Sequence, residues 1–376
     1  QNSLASPKEE IIELNVNTSQ GSVTLETTIF KPEGSGPFPL LIMNHGKEFG
    51  QPEQQSRARY LALSAEFVRR GYAVVIPMRQ GFSKSGGSFR HGGCSILDTG
   101  LLQASDILAQ AGMLLKSTAR SDGPMESLPV RKVILMGTSA SAATLVAYLP
   151  AHRVLRDQNM GPIFDGFLPT SIGGATPLPK VDVPAIMMPT MNEVVADAAT
   201  GNAYRRADSD APGDQFRLYE VAGMAHNDSR INPVYDPDPC QYPVSRFPQG
   251  MGVAIGLDHL IQWVDKGKVP PHAPPVTVDN NKTGDNSVLA LDANGNPQGG
   301  VRNTYVDVPA YRYVSPNEPI PTPIPNPSPL TAAASVQLFC NIAGYQQPLT
   351  TGQLQALYKN KKDYQSRVER SEEHTS

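Results

Sequence analysis

Val133, Ile134, Leu135, Met136, Gly137, Thr138, Ser139, Ala140, Ser141 is the stretch that decides the fold. Four apolar residues read as a buried strand, and residues 142–149, Ala-Ala-Thr-Leu-Val-Ala-Tyr-Leu, read as a helix directly behind it. A serine at a sharp strand-to-helix turn projects its Oγ above the edge of a sheet, where a substrate can reach it. Gly137 occupies the first glycine position of the pattern that builds such a turn, while Ser141 stands where a second glycine is usual. Ser139 is therefore the candidate nucleophile, and the segments around it have to supply the rest of the case.

Upstream, residues 23–30 alternate as an edge hairpin strand does, and residues 39–43, Pro-Leu-Leu-Ile-Met, form a buried strand. Tyr60, Leu63 and Phe67 recur at helical spacing before a stop at Gly71. A strand at 72–76 and a helix at 101–115 follow. Downstream, strands are expected at 164–169, 185–188 and 216–221. A closing helix at 251–266 carries Leu257, Leu260, Ile261 and Val264 on one face. Strands alternating with helices predict an α/β domain with a doubly wound, mostly parallel sheet covered by helices on both faces.

The 376 residues suffice for one large domain with an extension. We read 1–268 as the catalytic domain and 269–369 as an irregular, Pro/Gly-rich C-terminal arm that packs back on the same body. The arm contains the tract Pro319-Ile-Pro-Thr-Pro-Ile-Pro-Asn-Pro-Ser-Pro329, an extended polyproline-like segment or a linker, between Tyr305, Tyr311 and Tyr313 on one side and a helix-capable 354–358 on the other. Residues 370–376 resemble a translated sequencing adaptor, and on that reading the gene was assembled from environmental DNA. The chain opens on Gln1 without an initiator Met, which reads as a product whose leader has been removed and points to a secreted or periplasmic location.

A formal charge of −3 with no long run of one sign gives no footprint for nucleic acid or for an anionic membrane. No apolar run approaches the roughly 18 residues that span a bilayer. Cys94, Cys240 and Cys340 lack the paired spacing of a metal cluster. They read either as three buried thiols or as one disulfide with one free thiol. The loop Arg79-Gln80-Gly81-Phe82-Ser83-Lys84-Ser85-Gly86-Gly87 has neither P-loop nor dinucleotide spacing, so no cofactor is expected. It reads as a pocket rim, with Arg79 and Gln80 as candidates for substrate contact.

A serine hydroxyl needs a base, and the base needs a third group to hold its tautomer. On a sheet of this kind the partners follow the serine in the order acid, then histidine. His226 lies just after the last expected strand, on a loop that Gly223 helps to bend. His45, His91, His152, His259, His272 and His374 fit that position poorly. The acid is expected after the strand at 185–188, with Glu193 preferred, Asp197 second and Asp165 a remote third. For the developing oxyanion the expected donors are the backbone N–H groups of Ala140 and Lys47. His45 and Glu48, on either side of Gly46 and Lys47, are further substrate-contact candidates.

His45-Gly46, the turn at Ser139 and His226 resemble the α/β-hydrolase superfamily over roughly residues 20–268. Arg206 to Asp210, Tyr219 to His226, Gly295 to Arg302 and Leu338-Phe339-Cys340 further resemble a little-characterised family of bacterial α/β-hydrolase-domain proteins whose arm belongs to the same unit. The resemblance implies a triad on Ser139, Glu193 and His226, with Glu193 where Asp is more usual. It also implies that Cys240 and Cys340 pair. The segment around Phe49 and Arg79 to Gly87 is similar to dienelactone-hydrolase-like and peptidase-like relatives.

The reading is a serine carboxylic-ester hydrolase working through an acyl-enzyme on a small or polymeric ester. Too little chain separates 169 from 185 for a large helical lid, so feruloyl-type and polyester substrates are expected to find an open cleft. A peptidase or amidase on the same triad and a non-catalytic binding protein are the alternatives.

Overall fold

The computed structural model describes residues 7–89, 99–116, 125, 129–157, 161–228, 239–279, 288–321 and 333–375. His91, Cys94 and positions 322–329 of the proline tract lie outside the described residues. Strands β1 (Glu9–Thr18) and β2 (Gly21–Phe30) form a hairpin, followed by β3 (Phe38–Asn44), α1 (Leu61–Arg69), β4 (Ala73–Pro77) and α2 (Thr99–Lys116). Next come β5 (Val130–Thr138), α3 (Ala140–Tyr148) and a short pair, β6 (Arg156–Asp157) with β7 (Gly161–Pro162). The body is completed by β8 (Gly166–Thr170), β9 (Ala185–Met187), α4 (Met191–Ala196), the hairpin of β10 (Ser209–Ala211) and β11 (Asp214–Leu218), and α5 (Gln249–Lys266).

The main sheet has the strand order β1-β2-β4-β3-β5-β8-β9-β11-β10. Every neighbouring pair from β4 to β11 is parallel, and the antiparallel β1-β2 and β10 flank that block. Alternation along each strand divides the core in two. Leu40, Ile42, Val133 and Leu135 point into the layer holding Leu108 and Leu115 of α2 and Leu145 of α3. Leu41, Met43, Ile134 and Met136 point into the layer holding Phe67 of α1 and Leu257 and Leu260 of α5. A strand buried on both faces has no polar side to show, which is why these segments read as continuous apolar runs.

Two expectations are corrected. The strand at 23–30 is not an edge: β1 pairs with it along its whole length, from Glu9 opposite Phe30 to Thr18 opposite Gly21. The exposed Glu10 and Glu13 of β1 are what a sheet edge tolerates. The arm is also less irregular than its composition suggests. It contains α6 (Thr304–Asp307), β12 (Tyr311–Val314), α7 (Ala333–Ala343), β13 (Tyr345–Pro348), α8 (Thr351–Leu357) and α9 (Lys361–Thr375). Its short strands pair with chain remote in sequence, β12 with β13 and Val244 with Tyr345, a signal that no local pattern carries. Helix α9 continues through residues 370–375.

Cys240 and Cys340 form a disulfide across a sequence separation of 100 residues. At a second point of attachment, the N–H of Ala222 donates to the carbonyl of Val301 at 3.0 Å, and that of Val301 to Glu220 at 2.7 Å. The arm thus grips the segment that leads from β11 to His226.

Candidate active site

Ser139 occupies the junction of β5 and α3 with φ 54° and ψ −121°, a conformation that a residue with a side chain adopts only under constraint. The constraint is visible on both sides. Its N–H donates to Thr170 on the neighbouring strand at 3.0 Å, and its carbonyl accepts from Ala143 at 3.1 Å as the helix begins. A Cβ on Gly137 would lie 2.6 Å from the carbonyl oxygen of Ser141, so the turn excludes any side chain there. At the second position of the pattern the reverse holds: Ser141 is buried, and its hydroxyl donates to the carbonyl of His45.

His226 stands on the loop after β11. Gly223, at φ 82°, turns the chain where a Cβ would come within 3.1 to 3.3 Å of Val306, Tyr313 and Phe247. The loop is held from the arm by Asn227 N–H donating to Ile342 at 3.0 Å, and from α5 by the Gln249 amide donating to the His226 carbonyl. His226 Nε2 lies 3.0 Å from Ser139 Oγ and Nδ1 lies 2.6 Å from Glu193 Oε1. Since a carboxylate can only accept, the ring proton sits on Nδ1 and Nε2 is free to accept from the serine.

Glu193 is the third residue of α4. Its Oε2 closes a capping box, accepting from Thr190 N–H at 2.8 Å and from the Thr190 hydroxyl at 2.6 Å, while Oε1 faces His226. Burial pushes this carboxyl up, but the His226 ring and the two Thr190 donors outweigh it and hold the group below the usual glutamate range. The other acids are engaged elsewhere. Asp197 Oδ2 accepts from Gly174 N–H at 2.9 Å, and Asp165 is bound by Lys116 at 2.9 Å and Lys132 at 3.1 Å.

His45 is buried within the loop after β3. Arg79 N–H donates to its Nε2 at 3.0 Å, so the neutral ring carries its proton on Nδ1, 2.8 Å from the Gly46 carbonyl. Burial lowers the ring to about 4, with the backbone bond to Gly46 opposing and Arg79 assisting. The Gln55 amide reinforces the loop, donating to Gly46 at 3.0 Å and accepting from Glu48 N–H at 2.9 Å. His45 therefore shapes the loop from beneath, and the Glu48 side chain is exposed.

A cavity of about 150 Å³ is lined by Ala140, the residue after the serine, and by Lys47, Arg79 and Gln80, with Leu25 and Ile107 on its apolar side; Ser139, His226 and Glu193 themselves are not among its lining residues. His45 and Glu48 do not line it. Sequence reasoning missed the lining residue Gln103 and the brace at Gln249, neither of which sits in a motif. Residues 171–184, between β8 and β9, contain no helix.

A family profile described as "Alpha/beta hydrolase domain" matches residues 51–375. The chain belongs to this alpha/beta hydrolase domain family. The match begins after the loop at 45–47 and includes the arm. No curated protein matches the chain. Solved structures similar to this alpha/beta hydrolase include an a/b serine hydrolase without lid from Xanthomonas campestris, with 15% identity, a TM-score of 0.39 and coverage of 70% of this chain and 96% of that one. Another is a rice cell wall degrading esterase from Xanthomonas oryzae, with 18% identity, a TM-score of 0.33 and coverage of 49% and 44%. A third is an alpha/beta hydrolase from Penicillium sp. sh18, with 18% identity, a TM-score of 0.31 and coverage of 45% and 48%. The chain spans about half the length of that fungal protein and less than half of the rice cell wall degrading esterase. Among the described residues of this alpha/beta hydrolase, no helix is long and apolar enough to cross a membrane and no group of His, Cys, Asp and Glu could hold a metal ion.

Proposed function

We propose that this alpha/beta hydrolase is a serine carboxylic-ester hydrolase. The observation that carries the reading is the unbroken chain from Ser139 Oγ through both nitrogens of His226 to Glu193, at 3.0 and 2.6 Å. Ser139 attacks the ester carbonyl as its proton passes to His226 Nε2, and Glu193 stabilises the imidazolium so formed. The N–H of Ala140, at the open first turn of α3, and that of Lys47 stabilise the tetrahedral oxyanion. His226 then protonates the departing alcohol. Water, deprotonated in turn by His226, releases the acid and restores Ser139.

A cavity of about 150 Å³ is the size that admits a benzene-like group, which supports short or aromatic acyl chains, feruloyl-type esters among them. The helix-free segment 171–184 supports access for bulky esters, including polyester chains. The Cys240–Cys340 disulfide supports an exported protein in an oxidising compartment. Turnover of a 4-nitrophenyl ester by the wild type, abolished by Ser139→Ala, is the expected outcome. Undiminished turnover in the variant would defeat the reading, and 4-nitroanilides assayed in parallel separate an esterase from an amidase.

A further inference from the structure

Arg79 presents a charge without a partner among the described residues. Buried polar groups in folded proteins are paired almost without exception, and a buried charge left alone costs several kcal/mol. Among the described residues the Nη1 of Arg79, shielded from solvent, has no hydrogen-bond partner, and no carboxylate forms an ion pair with the guanidinium. The nearest compensation is the face of Phe82, whose ring centre lies 5.3 Å from Arg79 Cζ. Burial alone lowers the group to about 10, with no opposing charge to hold it up.

The backbone fixes where this charge sits. Arg79 N–H is tied to His45 Nε2, so the residue is clamped between the end of β4 and the loop after β3. Arg79 lines the cavity that Lys47 and Ala140, the residue after Ser139, also line. No acidic residue is among the described residues lining that cavity, while Leu25 and Ile107 give it an apolar side. An unpaired guanidinium at the wall of a largely apolar cavity suits a ligand with a short apolar body and one anionic group. Arg binds a planar carboxylate with two parallel hydrogen bonds.

We infer that Arg79 is an anion-recognition residue, selecting esters that carry a free carboxylate a few carbons from the scissile carbonyl. The inference rests on the serine-hydrolase reading above for the word ester, and on geometry alone for the carboxylate. The carboxylate can belong to the acyl part, as in a half-ester of a dicarboxylic acid, or to the alcohol part.

The test compares two matched pairs by pH-stat: monoethyl glutarate against ethyl pentanoate for the acyl side, and 4-butanoyloxybenzoate against phenyl butanoate for the alcohol side. In the wild type, kcat/KM favours the carboxylate member of one pair by about 10- to 100-fold, the range of a charge-assisted hydrogen bond. In Arg79→Met that preference falls at least tenfold, and Arg79→Lys restores part of it. The thermal midpoint of Arg79→Met is equal to or above that of the wild type, because a desolvated charge has been removed. A preference that is absent in both pairs, or that changes less than threefold in Arg79→Met, overturns the inference. Glutarate binding measured by calorimetry on wild type and on Arg79→Met needs no turnover. If no ester is cleaved but glutarate binds only the wild type, the hydrolase reading fails and the anion site stands. If esters are cleaved and glutarate binds both proteins equally or neither, the anion site fails alone.

Discussion

The hydroxyl of Ser141 donates to the carbonyl of His45, joining the turn that presents Ser139 to the loop that carries Lys47. This bond accounts for the serine that replaces the second glycine of the motif. The proposed nucleophile and one proposed oxyanion donor follow different strands, β5 and β3, and a hydroxyl between the two loops ties them together.

Ser141→Gly, which restores the common motif, is therefore expected to weaken the protein. Leaving the His45 carbonyl without this donor costs about 1–3 kcal/mol if no water replaces it. The thermal midpoint should fall, and kcat should drop about tenfold with little change in KM, because a loosened oxyanion donor acts in the transition state. Calorimetry and steady-state kinetics on Ser141→Gly and Ser141→Ala check both.

Glu193 serves two partners through two oxygens, and substitutions can separate them. Glu193→Gln keeps an oxygen for the Thr190 cap but loses the charge opposite His226. It should lower kcat by about 10³- to 10⁴-fold with a small change in stability. Thr190→Ala removes the cap and should destabilise by about 1 kcal/mol, with a much smaller kinetic effect. Equal kinetic losses in the two variants would contradict this division of labour.

The disulfide is expected to matter for turnover as well as for stability. Closing a loop of 100 residues, it should contribute about 2–5 kcal/mol. Its partner Cys340 lies two residues before Ile342, whose carbonyl holds Asn227 beside His226. Cys340→Ser should lower the thermal midpoint and lower kcat more than KM. A variant that unfolds earlier but turns over at the wild-type rate well below its midpoint would disconnect the arm from the histidine loop.

Acid should destabilise the protein well before its carboxylates titrate. Burial first of all lowers His45 and His152 to about 4; the Gly46 carbonyl opposes it at His45, and at His152 the Asp182 carboxylate, 3.3 Å from Nε2, opposes it while Arg156 assists, whereas an unfolded histidine titrates near 6.5. The folded pKa lies below the unfolded one, so the unfolded chain binds more protons and stability falls as pH drops from about 6.5 toward 4. At pH 5 each buried histidine favours unfolding by about 2 kcal/mol. His152 is enclosed by Tyr148 and Phe167, so His152→Phe should show a shallower loss of stability between pH 7 and 5 than the wild type in urea titrations.

Much of this molecule was legible in its sequence, for identifiable reasons. Strands buried on both faces must be continuously apolar, so β3, β4, β5 and β9 declared themselves, and the helices did so by their stripes. Ser139, Glu193 and His226 could be ordered because each follows a strand that the hydrophobic pattern locates, and the structure brings all three within hydrogen-bond reach. What stayed hidden depends on partners remote in sequence. β1 looks like a charged segment until it is laid beside β2. Gln249 is an unremarkable first residue of α5 until its amide meets the His226 carbonyl. His45 stood out by its position after β3, yet its ring faces Arg79 N–H and the Gly46 carbonyl, a role that only the tertiary structure defines.

The central claim is that Ser139 is a nucleophile activated by His226. Labelling the intact protein with a fluorophosphonate, followed by peptide mass spectrometry, tests it without any choice of substrate. The account predicts one adduct per chain, on the peptide containing Ser139, formed at least 100-fold more slowly in His226→Ala. No adduct, an adduct on another residue, or labelling of Ser139 at an unchanged rate in His226→Ala would contradict it.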